Sequence, residues 1–177
     1  MAAAAKRRRH FVAALCLAVP AVLLSVVEVS LPLEQRAEAR TARHALQTAF
    51  FGYMALVILL DVGRQRRVTA EKIRGAVCVF LLMGATWAFA YLTLLQLDPR
   101  ALAFPFSKGD VPPTPWIGDT LYFSFVTLTT VGYGDIVPVS PLARSMAWLE
   151  ASMGQLFMVL LVARLVGLHI AQSDSAD

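Results

Sequence analysis

Charge is what this sequence has least of. Of its 177 residues only 16 % are Asp, Glu, Lys or Arg, against 58 % hydrophobic, whereas soluble domains carry about 25 % charge. A soluble intracellular enzyme is excluded on that ground. Cysteine is nearly absent as well: Cys16 and Cys78 lie inside apolar blocks. They suggest neither a disulfide framework nor a thiolate metal site and are read as small buried hydrophobes. His10, His44 and His169 stand apart from one another without metal-ligand spacing. There is no phosphate-binding glycine loop and no catalytic motif, so no enzyme and no cofactor is expected. The net charge of +4 sits in cations beside apolar blocks, where it sets orientation; no nucleic-acid partner follows from it.

What the chain does have is long apolar runs. Residues 11–33 form the first, which as a helix spans roughly 34 Å, enough to cross hydrocarbon about 30 Å thick. Residues 45–62 form a second, near the lower length limit. Residues 75–97 carry no charge, and residues 145–170 are interrupted only by Glu150, Arg164 and His169. Between the last two lie Pro99, Pro105, Gly109, Pro112, Pro113 and Pro115, then a shorter apolar stretch, 117–130. At roughly 20 Å this stretch cannot cross a bilayer and reads as a re-entrant helix. The expected fold is an all-α integral membrane protein with four transmembrane helices and a re-entrant helix between the third and fourth.

Cytoplasmic loops keep an excess of lysine and arginine. Lys6, Arg7, Arg8 and Arg9 place the N-terminus inside, as do Arg64, Arg66, Arg67, Lys72 and Arg74 the connection 63–74. Four crossings then put both termini in the cytoplasm and the proline-rich loop outside, so the re-entrant segment enters from the external face. Residues 1–10 form a basic cytoplasmic start, 11–74 two peripheral helices and their loop, 75–170 the main unit, and 171–177 a short tail. A rival reading takes residues 1–39 as a cleaved signal ending at Ala37-Glu38-Ala39. Arg36, Arg40 and Arg43 have helical spacing but are interleaved with Glu34, Gln35 and Glu38. They are expected to precede the second span as a solvated turn.

The re-entrant stretch ends in Thr129-Thr130-Val131-Gly132-Tyr133-Gly134-Asp135. Here the chain resembles the potassium channel superfamily, in particular bacterial channels with a two-helix pore, over roughly residues 75–170. The TVGYG loop is that superfamily's selectivity filter. Physics fits the resemblance, because an ion leaving water loses tens of kcal/mol of solvation by Born estimates unless oxygens replace its shell. Gly132 and Gly134 supply backbone angles closed to most residues. The resemblance implies a homotetramer, since each ion layer needs oxygens from several copies, and it implies Thr130, Val131, Gly132 and Tyr133 as potassium ligands. Potassium would be the permeating ion at these residues only.

Filter support would come from Thr129, Gly134, Asp135 and Val126, with Tyr122 and Phe123 joining Tyr133 in an aromatic cuff where many relatives have tryptophan. Val126 stands where some relatives carry a pore-helix glutamate paired with the aspartate, so that carboxyl pair is absent. Asp135, helped by Asp119, would add negative potential at the outer mouth. Gly154 lies at the spacing of the inner-helix hinge glycine in two-helix channels, and hinge and close packing are both open. Gln155, Met158 and Val162 would face the cavity below the filter. Glu150 either braces the pore helix through Thr127 or Thr129 or meets solvent, and Arg164 snorkels to headgroups or takes part in gating. Arg64, Arg66, Arg67 and Lys72 could bind anionic lipid. The tail is too short for a cytosolic gating domain. The function implied is a potassium-selective channel in the plasma membrane; the alternative is a non-conducting or partner-dependent scaffold that keeps the pore fold.

Overall fold

A computed structural model describes residues 2–30, 32–64, 70–104 and 117–173. It contains five helices and one two-residue strand pair among the described residues: α1 (Ala2–Ser30), α2 (Leu33–Arg64), α3 (Ala70–Leu97), β1 (Leu102–Ala103), α4 (Ile117–Leu128), β2 (Val137–Pro138) and α5 (Pro141–Ser173). The fold is all-α and membrane-embedded in character. Gln35–Gly63, Ile73–Leu97 and Pro141–Arg164 are long and apolar enough to cross a bilayer. α1 offers the apolar run Val12–Val27, about 24 Å of helix.

Two boundaries differ from the sequence reading. The first apolar block, 11–33, is not one element: α1 ends at Ser30 and α2 begins at Leu33, with Pro32 at the break, whereas Pro20 is accommodated inside α1. The stretch 34–44 is not a turn between spans. It forms the first turns of α2, since Glu, Gln, Arg and Ala favour helix and neither glycine nor proline interrupts them. Arg36, Arg40 and Arg43 therefore ride on the same continuous helix as the second span. His44 is buried against α3, bonding Gln47 through Nδ1 at 3.1 Å and stacking on Phe89. Cys16 and Cys78, expected to be buried, are exposed on their helices.

Local chemistry explains the ends that position the site. Asp98 closes α3 with an Asx turn, its Oδ1 accepting from Arg100 N at 3.1 Å. β1 and β2 pair antiparallel, Leu102 opposite Pro138 and Ala103 opposite Val137, which ties the exit of α3 to the segment behind residue 135. Ser140 then caps α5: its Oγ accepts from Ala143 N at 3.1 Å, with Pro141 in the first helical position. A core of Tyr91, Leu94, Leu95, Ala101, Leu102, Phe123, Ile136 and Ala143 fills the space behind α4. Gly84 lets α4 approach α3 closely, since an added Cβ would stand 2.5 Å from Phe125 Cζ.

Candidate functional site: the loop at the end of the short helix

α4 is only 12 residues long, and its last turn does not simply fray. Thr130 N donates to Thr127 O at 2.9 Å, and the Val126 carbonyl accepts from both Val131 N (2.9 Å) and Gly132 N (3.3 Å). Val126 thus supports the loop through its backbone. Beyond the helix φ is positive at Thr130 (59°), Gly132 (56°) and Gly134 (79°), and at no other non-glycine among the described residues. The hand therefore alternates from Thr130 to Gly134. Such alternation turns successive peptide units alike, gathering N–H groups on one side and carbonyls on the other.

The two glycines are required by conformation and not by space: nothing lies within 4 Å of a Cβ added at Gly132 or Gly134. Thr130 is the surprise, a β-branched residue in the left-handed region. Its hydroxyl accepts from Gln155 Nε2 of α5 at 2.8 Å, which holds it there. The sequence reading gave this freedom to glycine alone; the signal it passed over is the period of two that links 130 with 132 and 134. Thr129 bonds back to Phe125 O through its hydroxyl at 2.6 Å.

α5 closes on the end of α4 at Gly154. A Cβ there would stand 2.0 Å from the Leu128 carbonyl oxygen, so the two backbones touch. This contact supports the packing reading of Gly154 over the hinge. Below it an apolar groove of about 560 Å³ runs between α3 and α5, lined among others by Phe80, Leu128, Thr129, Gln155, Phe157 and Met158.

At the other end of the loop Tyr122 donates its hydroxyl to Asp135 Oδ2 at 2.6 Å and stacks on Tyr133, ring centroids 6.4 Å apart and nearly parallel. Phe123 is a correction to the cuff. It turns the opposite way and packs edge-on against Tyr91 of α3, because it is the residue of α4 that fills the core. Asp119 is exposed in the first turn of α4. The Tyr122 hydroxyl, followed by the Ile136 amide, holds the Asp135 carboxyl below its usual range.

An ion channel family profile matches residues 101–169. The inward rectifier potassium channel Kirbac3.1 of Paramagnetospirillum magnetotacticum is 32 % identical over 78 residues, 44 % of this chain and 23 % of that protein. The voltage-gated potassium channel Kch of Escherichia coli K12 is 43 % identical over 61 residues, 34 % of this chain and 15 % of its own. Over this stretch the chain is similar to potassium channels. Protein LctB of Bacillus caldotenax aligns further, with 29 % identity over 127 residues, 67 % of this chain and 93 % of that one. The chain spans less than a quarter of the length of the two named channels. No solved structure matches it.

Glu150 does brace the short helix, but through neither Thr127 nor Thr129: it is fully buried, bonded to Ser124 of α4 and at 2.8 Å to Tyr91 of α3. Ser124 and Tyr91 are the site residues that sequence reasoning missed. Arg164 reaches the Gly63 carbonyl at the end of α2, where helix carbonyls lack partners and a cation is favoured. The side chains of Arg64, Arg66, Arg67 and Lys72, named for lipid binding, lie outside the described residues, as does most of the proline-rich loop.

The Tyr122–Asp135 bond carries a pH prediction. With its carboxyl held low, Asp135 stays ionised down through the usual carboxylate range, and the bond's contribution to stability is present above that range and lost only as pH falls through the lowered value. Tyr122→Phe removes the largest cause, so Asp135 should titrate at higher pH. The carboxyl titration, followed by infrared difference spectroscopy against Asp135→Asn, should move upward in the variant; coincident titrations would deny the bond its hold on Asp135.

Proposed function

We propose that this chain is a potassium-selective channel that conducts passively as a homotetramer, with 130–133 as the filter. The observation that carries this reading is the alternating hand from Thr130 to Gly134, set at the end of a helix too short to cross a bilayer. Four copies around an axis would stack rings of carbonyls from Thr130, Val131, Gly132 and Tyr133, replacing the hydration shell that low dielectric strips away. Non-helical backbone at membrane depth is tolerated only where protein or a water-filled cavity surrounds it. In one protomer Val131 is 52 % and Tyr133 72 % exposed, as expected of side chains that await neighbouring copies.

The C-terminal end of α4, partly negative, would point at the cavity beside Thr129 and Gln155 and favour a cation there. α3 and α5 flank the pore, and α1 and α2 are peripheral, with α1 as the fourth crossing. The lysine and arginine excess supports a topology with both termini on the cytoplasmic side, and in a plasma membrane Arg64, Arg66, Arg67 and Lys72 would meet anionic lipid. No cofactor takes part beyond the permeating ion.

The test is potassium against sodium flux in liposomes holding only the purified chain. Potassium-selective flux from the chain alone establishes a self-sufficient channel. A tetramer that stays silent across pH, tension and lipid composition points instead to a partner-dependent subunit, and equal potassium and sodium flux would refute the filter.

A further inference from the structure

Glu150 sits on α5 one turn before Gly154, 0 % exposed. Its Oε2 is 2.8 Å from the Tyr91 hydroxyl of α3, and its Oε1 rests against Ser124 Oγ of α4. Ser124 Oγ is in turn 2.8 Å from the Gly84 carbonyl oxygen of α3. Three oxygen-to-oxygen contacts thus join four groups, and each contact needs a proton between its two atoms.

The count decides the state of the acid. Gly84 O has no proton to give, so the Ser124 hydroxyl donates to it. The Tyr91 hydroxyl donates to Glu150 Oε2. Both hydroxyl protons are then committed, and the contact between Ser124 and Glu150 has none if the carboxyl is ionised. We infer that Glu150 carries the third proton, as a neutral carboxylic acid that donates from Oε1 to Ser124 Oγ and so completes a chain from Tyr91 through Glu150 and Ser124 to Gly84. Solvation argues the same way. A buried carboxylate without a cation is far more costly than a hydrogen-bonded acid. Among the described residues the hydrogen-bond partners of this carboxyl are Ser124 and Tyr91 alone, and Tyr91 is the one titratable group among them. Tyr91 is itself enclosed by Trp87 and Phe123.

The acid is a positioning residue. It touches no ion, but it fixes the register of α4 on α5: Ser124 meets Glu150 and, one turn on along both helices, Leu128 meets Gly154 with the same offset of 26 residues. Leu128 is the last residue of α4, so whatever sets its height sets where the loop begins. The proton assignment stands on helix packing alone; only its bearing on the filter rests on the proposed function.

Infrared difference spectroscopy of the full chain in liposomes at neutral pH, wild type minus Glu150→Gln, tests it. The expected spectrum contains the carbonyl stretch of a protonated carboxylic acid, lost in the variant. Glutamine can donate its amide N–H to Ser124 and accept from Tyr91, so Glu150→Gln should also keep the thermal stability of the wild type, whereas Glu150→Ala and Ser124→Ala should lower it. A difference spectrum with carboxylate bands only would overturn the assignment, as would a Glu150→Gln protein no more stable than Glu150→Ala. Neither readout depends on flux, so a silent liposome leaves the result intact.

Discussion

Alanine at Gly132 or at Gly134 is expected to abolish potassium-selective flux while leaving membrane insertion and the helical content unchanged. Both positions have positive φ, 56° and 79°, and both are open, with nothing within 4 Å of an added Cβ. A steric clash is therefore not the mechanism. A left-handed conformation costs an L-residue with a Cβ roughly 1–2 kcal/mol. In the proposed tetramer the four copies would raise the cost to roughly 4–8 kcal/mol, on the order of a thousandfold or more in the population of the alternating form. Neighbouring Thr130 already holds such an angle, which leaves little room for a second strained residue. The measurement is the ratio of potassium to sodium flux in liposomes, with circular dichroism as the control on folding. Unchanged selectivity in both variants would sink the filter assignment.

Gly154→Ala should act differently, through the fold. Its Cβ would be placed 2.0 Å from the carbonyl oxygen of Leu128, with the Leu128 carbonyl carbon at 2.9 Å behind it. The obstacle is backbone, so no rotamer change relieves it; α5 must move out or the end of α4 must move up. Inserting a methyl into close packing typically costs about 1–3 kcal/mol, and a backbone obstacle puts this site at the upper end, about 3 kcal/mol in each protomer. We expect a marked drop in the thermal stability of the assembled protein, with flux lost alongside. A variant that melts with the wild type and differs only in open probability would restore the hinge reading of this glycine.

The two predictions separate what was legible in the chain from what was not. Sparse charge and long apolar runs gave three of the four expected spans among the described residues; the first run, broken at Pro32, leaves only the shorter apolar stretch Val12–Val27. The loop 129–135 could be read because its requirement is local: alternate positions must accept a left-handed angle, and glycine at 132 and 134 advertises this in the letters. Thr130 escaped notice since its angle is held by Gln155 from another helix, not by its own chemistry. Phe123 was placed on the wrong side of α4 for a related reason. A short amphipathic helix offers two aromatic neighbours, and only the presence of Tyr91 on α3 tells which of them enters the core.

Glu150 is the clearest case of the division. Its charge inside an apolar run marked it as a residue with a role, as an ionisable group in a span generally is, but the partners could not be named. They lie 26 and 59 residues away in the chain. The sequence alone determined the membrane class, the short re-entrant helix and the glycine-bearing loop, because transfer of apolar side chains and backbone freedom are properties that each segment carries with it. Only the tertiary structure decided that Ser124 and Tyr91 meet at Glu150, that Ser124 also reaches the Gly84 carbonyl and that Gly154 lies on Leu128, because such contacts depend on how three helices are set against one another, and hydrogen bonds between distant groups leave no period in the sequence.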